Sequence, residues 1–222
     1  MIVCYGDSNT FGASGLLAGW PSRLPHASRW TTILQSRLGD EFLVTPEGLN
    51  GRTTCMDDEH CWSCCDGAPG GMNGRKCLLP ILHSHKPVEV VVIALGCNDL
   101  KTYFALEPSQ IASGCQLLIN DIKKSTAGPD GQPPKILLIT PPHVKDTSFP
   151  KLTAFGPKRE RRSLETAAAY EALAKDEGLR VVNLTTLRGA AVSEDGLHFD
   201  EVASKAIGAA VETAVRQVLS DP

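Results

Sequence analysis

The sequence predicts an α/β protein built on a five-stranded parallel sheet flanked by helices. Three observations carry this. Short apolar runs alternate with helical patterns from end to end. Two of the runs, VEVVVIAL at 88–95 and KILLIT at 135–140, are β-branched and nearly continuous, the mark of strands covered on both faces. A chain of 222 residues, 42% of them apolar, can fill the core of one such domain.

Residues 1–5 read as the first strand. Over 28–38, Trp30, Ile33, Leu34 and Leu38 recur at helical spacing, and Gly39 stops the pattern. Residues 42–45 follow as a second strand and 88–95 as a third. Between them, 50–80 shows no sustained period. Gly67, Pro69, Gly70, Gly71 and Gly74 suit no regular element, so about 52–78 is expected to be an elaborated loop. Pro108 starts a helix whose apolar face is Ile111, Cys115, Leu118, Ile119 and Ile122, and Lys123 and Lys124 suit its C-terminal dipole. The strand at 135–140 is halted by Pro141 and Pro142. An Ala-rich helix at about 160–177 closes at Gly178, RVVNL makes the fifth strand, and 200–219 forms a terminal helix. No repeat or linker divides the chain, so 1–222 is expected to be a single domain.

Bulk properties exclude several partners. Net charge is −3, so no basic footprint invites nucleic acid. The one basic run, KRERR at 158–162, reads as a solvated helix start. No segment has the apolar length of a membrane span, and the first strand begins at Met1, which leads to the expectation of a cytoplasmic protein. Of eight cysteines, Cys4, Cys97 and Cys115 sit in or beside apolar periodic segments and read as buried thiols. Cys55, Cys61, Cys64, Cys65 and Cys77 crowd the 50–80 stretch with Asp57, Asp58 and His60. Only one CxxC spacing is present, short of a four-ligand zinc pattern. Reduced thiols are the favoured reading, with a local disulfide or structural metal as alternatives.

In parallel sheets the reactive groups gather beyond the carboxyl ends of the strands. Gly6-Asp7-Ser8 follows the first strand, EGLNGRTT the second and GCND the third, while EDGLHFD precedes the last helix. A serine hydroxyl needs a base to become a nucleophile, and His198 can be that base. Asp195, three residues earlier, can fix the imidazole tautomer and stabilise the imidazolium. An oxyanion needs fixed donors, and the Ser8 N–H, the Gly51 N–H and the Asn98 amide fit those roles. Each piece has a bland alternative: GDS as a turn, Asn98 and Asp99 as caps, Asp195 as the cap of the last helix. Their joint placement at strand ends favours the chemical reading. His26, His60, His83, His85 and His143 read as loop or surface residues, with His143 near enough to a strand end to line a pocket. The GxSxG elbow is absent.

These residues resemble the SGNH (GDSL-type) hydrolases, whose four blocks bear an invariant serine, glycine, asparagine and histidine. The matches are Ser8 in GDSNTFG, a glycine of EGLNGRTT, Asn98 in GCND and His198 in DGLHFD. The chain is most similar to the bacterial arylesterase and acyltransferase branch, with its GDSLTWG, EGL-x-x-RTT, LGTND and DG-(I/V)-H phrases. The resemblance implies a three-layer α/β/α fold and cofactor-free, metal-free serine ester hydrolysis, with Ser8, His198 and Asp195 as the triad. It also implies that Asp7 holds the loop behind Ser8, and that the protein forms a homo-oligomer. Asn9, Phe11 and Cys97 stand where that branch shows Leu, Trp and Thr, at positions that line or back the site. The expected activity is hydrolysis of short-acyl esters through an acyl-enzyme. Acyl transfer or perhydrolysis would need a narrow apolar channel, to which Phe11, Trp20, Phe149 and Phe155 are candidates. The alternative is removal of O-acetyl groups from sugars.

Overall fold

The computed structural model describes residues 1–14, 22–60, 72–147 and 150–221. Strand β1 (Ile2–Gly6) runs straight into a four-residue helix α1 (Ser8–Phe11), followed by a small antiparallel pair, β2 (Ala13–Ser14) with β3 (Ser22–Arg23). Then come α2 (Trp30–Leu38), β4 (Val44–Gly48), α3 (Gly74–His85), β5 (Val90–Ala94), α4 (Pro108–Lys123), β6 (Lys135–Ile139), α5 (Arg159–Glu177), β7 (Arg180–Val182) and α6 (Glu201–Ser220). The main sheet has the order β4-β1-β5-β6-β7, with every pairing parallel.

Side-chain alternation along the strands builds the three layers. Val3 and Tyr5 of β1, Val91 and Ile93 of β5, and Ile136 and Leu138 of β6 pack against α3, α4 and α5. Their neighbours Ile2, Cys4, Val90, Val92, Leu137 and Ile139 pack against α2 and α6 on the opposite face. Both faces are dry, which is why these strands carry almost no polar residues. The layered α/β/α fold implied by the resemblance is therefore present.

Several elements depart from the expectation. The second strand is Val44–Gly48 rather than 42–45, because the Gln35 side chain holds the Phe42 carbonyl (2.8 Å) and the Val44 N–H (2.7 Å) before pairing begins. Pro46 is tolerated there because β4 is an edge strand. The stretch expected to be an elaborated loop to about 78 contains the start of α3. Asn73 caps that helix by accepting from Lys76 N, and Leu78 and Leu82 are its buried face. The KRERR run is only partly solvated. Arg162 donates to the Leu100 and Leu106 carbonyls at 2.7 and 2.9 Å, and Arg159 donates to Gly156 and Thr147. Cys4, Cys97 and Cys115 are buried and Cys55 and Cys77 half-buried, all as free thiols. Cys61, Cys64 and Cys65 lie outside the described residues, as do Trp20 and Phe149. Among the described residues no helix is long and apolar enough to cross a membrane.

Candidate active site

β1 delivers Ser8 to the rim of the sheet, as the first residue of α1. Asp7 caps that helix, its Oδ1 accepting from the Asn9 N–H at 2.9 Å. The turn is crowded: a Cβ on Gly48 would sit 2.2 Å from the Phe11 nitrogen, so only glycine lets α1 lie against the end of β4.

His198 arrives from the other end of the chain. Its Nε2 lies 3.0 Å from the Ser8 Oγ and its Nδ1 2.6 Å from Asp195 Oδ2. The second Asp195 oxygen accepts from the Ser193 hydroxyl (3.0 Å), the Leu197 N–H (2.9 Å) and the His198 N–H (2.8 Å). Ser8, His198 and Asp195 are all buried. Burial pushes the Asp195 carboxyl up, but the His198 ring and these backbone donors outweigh it and hold it below the ordinary carboxylate value. An ionised carboxylate on Nδ1 fixes the tautomer whose unprotonated Nε2 can accept the serine proton. Asp195 does not cap α6; Asp200 does, accepting from Ala203 N.

The neighbouring strand ends converge on the same edge. Gly51 occupies the turn after β4 at φ +84°, a left-handed conformation that suits glycine. Asn98, in the turn after β5, is buried and donates from Nδ2 to the Arg52 carbonyl at 3.1 Å. Asp99, which sequence reasoning left as a loop cap, accepts from Thr54 N (3.0 and 3.1 Å) and Thr54 Oγ1 (2.5 Å), tying the β4 and β5 loops together. Burial pushes the carboxyls of Asp7 and Asp99 up to about 6 each.

The remaining candidates sort as follows. Asn9 Nδ2 donates to the Leu197 carbonyl at 3.3 Å, linking the serine turn to the histidine loop. Phe11 carries the Arg23 guanidinium 3.8 Å above its ring. Cys97 borders a cavity of about 20 Å³ shared with Asp7, Asn9 and Thr10, and burial raises its thiol well above the ordinary value. Phe155 is buried in the hydrophobic core. His143 pairs with Glu160 at 2.9 Å. A buried pair that sequence reasoning missed, Lys101 with Asp58 at 2.6 Å, stands just beyond the Asn98 turn, with the Tyr103 hydroxyl on the same carboxylate at 2.9 Å. Its only sequence signal was two opposite charges in segments read as loops.

A family model for GDSL-like lipases and acylhydrolases matches residues 4–206, a span running from β1 into α6 and containing all of the residues above. The chain belongs to that family. It is accordingly a carboxylic-ester hydrolase. Solved structures agree with the assignment. The aryl esterase of M. smegmatis is 32% identical, with 98% of each chain covered and a TM-score of 0.88. A carbohydrate acetylesterase from Sinorhizobium meliloti is 30% identical, with 97% of this chain and 98% of that one covered and a TM-score of 0.85. A search of curated protein sequences gave no significant match.

Proposed function

We propose that the protein hydrolyses short-acyl esters through an acyl-enzyme on Ser8, with residues 1–222 as one catalytic domain. The observation that carries this is the unbroken relay from the Ser8 hydroxyl through His198 to Asp195, at 3.0 and 2.6 Å. His198 Nε2 takes the serine proton as Oγ attacks the ester carbonyl, and Asp195 stabilises the imidazolium. The tetrahedral oxyanion is met by the Ser8 N–H, the Gly51 N–H and the free N–H of the Asn98 amide. Collapse expels the alcohol, which leaves with the proton from His198. Water then attacks the acyl carbonyl with His198 again as base, releasing the carboxylic acid and restoring the serine.

The test is a panel of p-nitrophenyl esters of increasing acyl length, run against Ser8→Ala. The proposal expects a maximum at acetate or propionate and loss of turnover in the variant. Turnover retained by folded Ser8→Ala would overturn it. A second reading, release of O-acetyl groups from sugars, is supported by the similarity to the Sinorhizobium meliloti enzyme. Acetate release from acetylated xylose, compared with p-nitrophenyl acetate, decides between them. Acyl transfer in water, a cytoplasmic address and a homo-oligomeric state belong to the same proposal. They are tested by product analysis in aqueous ethyl acetate, by cell fractionation and by light scattering.

A further inference from the structure

Arg52 is the residue after Gly51 and is buried at 4% exposure. Among the described residues no carboxylate lies within ion-pair distance of its guanidinium, whereas Arg37, Arg75, Arg159, Arg161, Arg180 and Arg216 all have one. A buried cation is unfavourable unless its surroundings are arranged to receive it. Here two carbonyls and a ring do so. Nη1 donates to the Gly6 carbonyl at 3.0 Å and to the Glu47 carbonyl, and the guanidinium lies 4.3 Å above the Tyr5 ring.

The placement of those acceptors is informative. Gly6 ends β1, two residues before Ser8, and already accepts from the Leu49 N–H at 3.1 Å. Glu47 is paired with Tyr5 in the β1–β4 register, at the end of β4 that leads to Gly51. The Arg52 carbonyl receives the Asn98 amide at 3.1 Å, which sets the direction of the amide's other N–H. One residue thus spans the ends of β1, β4 and β5, from which the three oxyanion donors spring. A neutral packing residue would close the same space but would not gather two carbonyls onto one nitrogen.

We infer that Arg52 is a positioning residue for the oxyanion pocket: its guanidinium locks the ends of β1 and β4 while its carbonyl aims the Asn98 amide, so that the Ser8, Gly51 and Asn98 donors share one focus. Arg52 itself touches no reacting atom. The inference rests on the esterase reading proposed above and deepens it. Donors out of focus weaken binding of the oxyanion far more than binding of the ground-state ester, so the effect belongs in kcat and leaves KM nearly unchanged.

The experiment measures kcat and KM on p-nitrophenyl acetate for Arg52→Met, Arg52→Lys, Asn98→Ala and the Arg52→Met/Asn98→Ala double variant, with near-UV circular dichroism and a thermal melt on each. Arg52→Met keeps the packing on Tyr5 without donors. It is expected to lose about 10²-fold in kcat, in the range of one oxyanion donor, with KM within about threefold. Arg52→Lys, whose ammonium still carries several donors, is expected to recover at least about tenfold of that loss. In the double variant the losses should fall short of their product by about fivefold or more, because both changes disable one device. A simple loss of stability would leave them multiplicative. If Arg52→Met is unfolded at the assay temperature, Arg52→Lys alone is read, in parent and Asn98→Ala backgrounds, against the same shortfall. The inference is overturned by a folded Arg52→Met within threefold of parental kcat, by a loss confined to KM, or by losses that multiply. Ser8→Ala run alongside separates the two ideas: activity in that variant defeats the Ser8 acyl-enzyme reading, whereas an inactive Ser8→Ala beside a fully active Arg52→Met defeats only the role of Arg52.

Discussion

Replacing Asp7 with Asn should make the protein more stable in mild alkali and less active, with a stability change that reverses sign in acid. Asp7 is 2% exposed, and burial raises its carboxyl from 3.8 to about 6 despite the Asn9 N–H and the nearby His198 and Arg52. A carboxyl whose folded pKa lies above its unfolded value binds its proton more tightly in the folded state. Its contribution to stability is therefore greatest below the unfolded pKa and is lost as pH rises through about 6. The rise corresponds to ~3 kcal/mol of unfavourable charge burial at about pH 8. Asparagine keeps the Oδ1 that caps α1 but brings an amide N–H₂ whose burial costs about 1–2 kcal/mol. The net expectation is a gain of ~1–2 kcal/mol near pH 8 and a loss of ~1 kcal/mol near pH 4. Urea unfolding of both proteins at several pH values, extrapolated to water, measures it. Activity should fall even so, because the ionised carboxylate favours the imidazolium that forms on His198 during attack. A stability difference that does not vary with pH, or one that worsens as pH rises, would refute the reasoning.

Three further outcomes follow from the same geometry. Asn98→Ala should lower kcat by about 10²–10³ while leaving the fold intact, read as steady-state kinetics beside a thermal melt. Asp195→Asn should cost more, about 10⁴ in kcat, since the amide no longer fixes the tautomer with Nε2 unprotonated; a folded variant within tenfold of the parent would contradict this. Gly48→Ala forces a Cβ to 2.2 Å from the Phe11 nitrogen and 2.6 Å from the Thr10 carbonyl carbon, so α1 must move. A destabilisation of about 1–3 kcal/mol in chemical denaturation is expected, together with reduced turnover, because Ser8 moves with α1.

The parts of the fold visible in the sequence are those where one physical signal dominates. Continuous β-branched runs mark β5 and β6 because both faces are dry, and Gly178 marks the end of α5 because the chain turns there at φ +67°. The convergence of Ser8, Asp195 and His198 was legible because they lie just beyond a strand or just before a helix, where the fold class places reactive groups. Helix α3 was hidden by its proline, Pro80, and by a half-exposed surface that supplies only two fully buried leucines, Leu78 and Leu82. Arg52, Asp99 and Lys101 were invisible as partners because their bonds reach across 43 to 46 residues to distant segments of the chain. Sequence spacing reports local periodicity, and such pairings have none. The KRERR run does start a helix and stays at least partly exposed, but its pattern could not show that the Arg162 guanidinium satisfies carbonyls at the ends of a distant loop.

The most direct test of the account is to quench the enzyme within a turnover of p-nitrophenyl acetate and locate the acyl group by peptide mass spectrometry. The account predicts one acetyl group, on Ser8 alone, with its formation strongly slowed in His198→Ala. An acetyl group on any other residue, or rapid turnover by an enzyme that never carries one on Ser8, would contradict it.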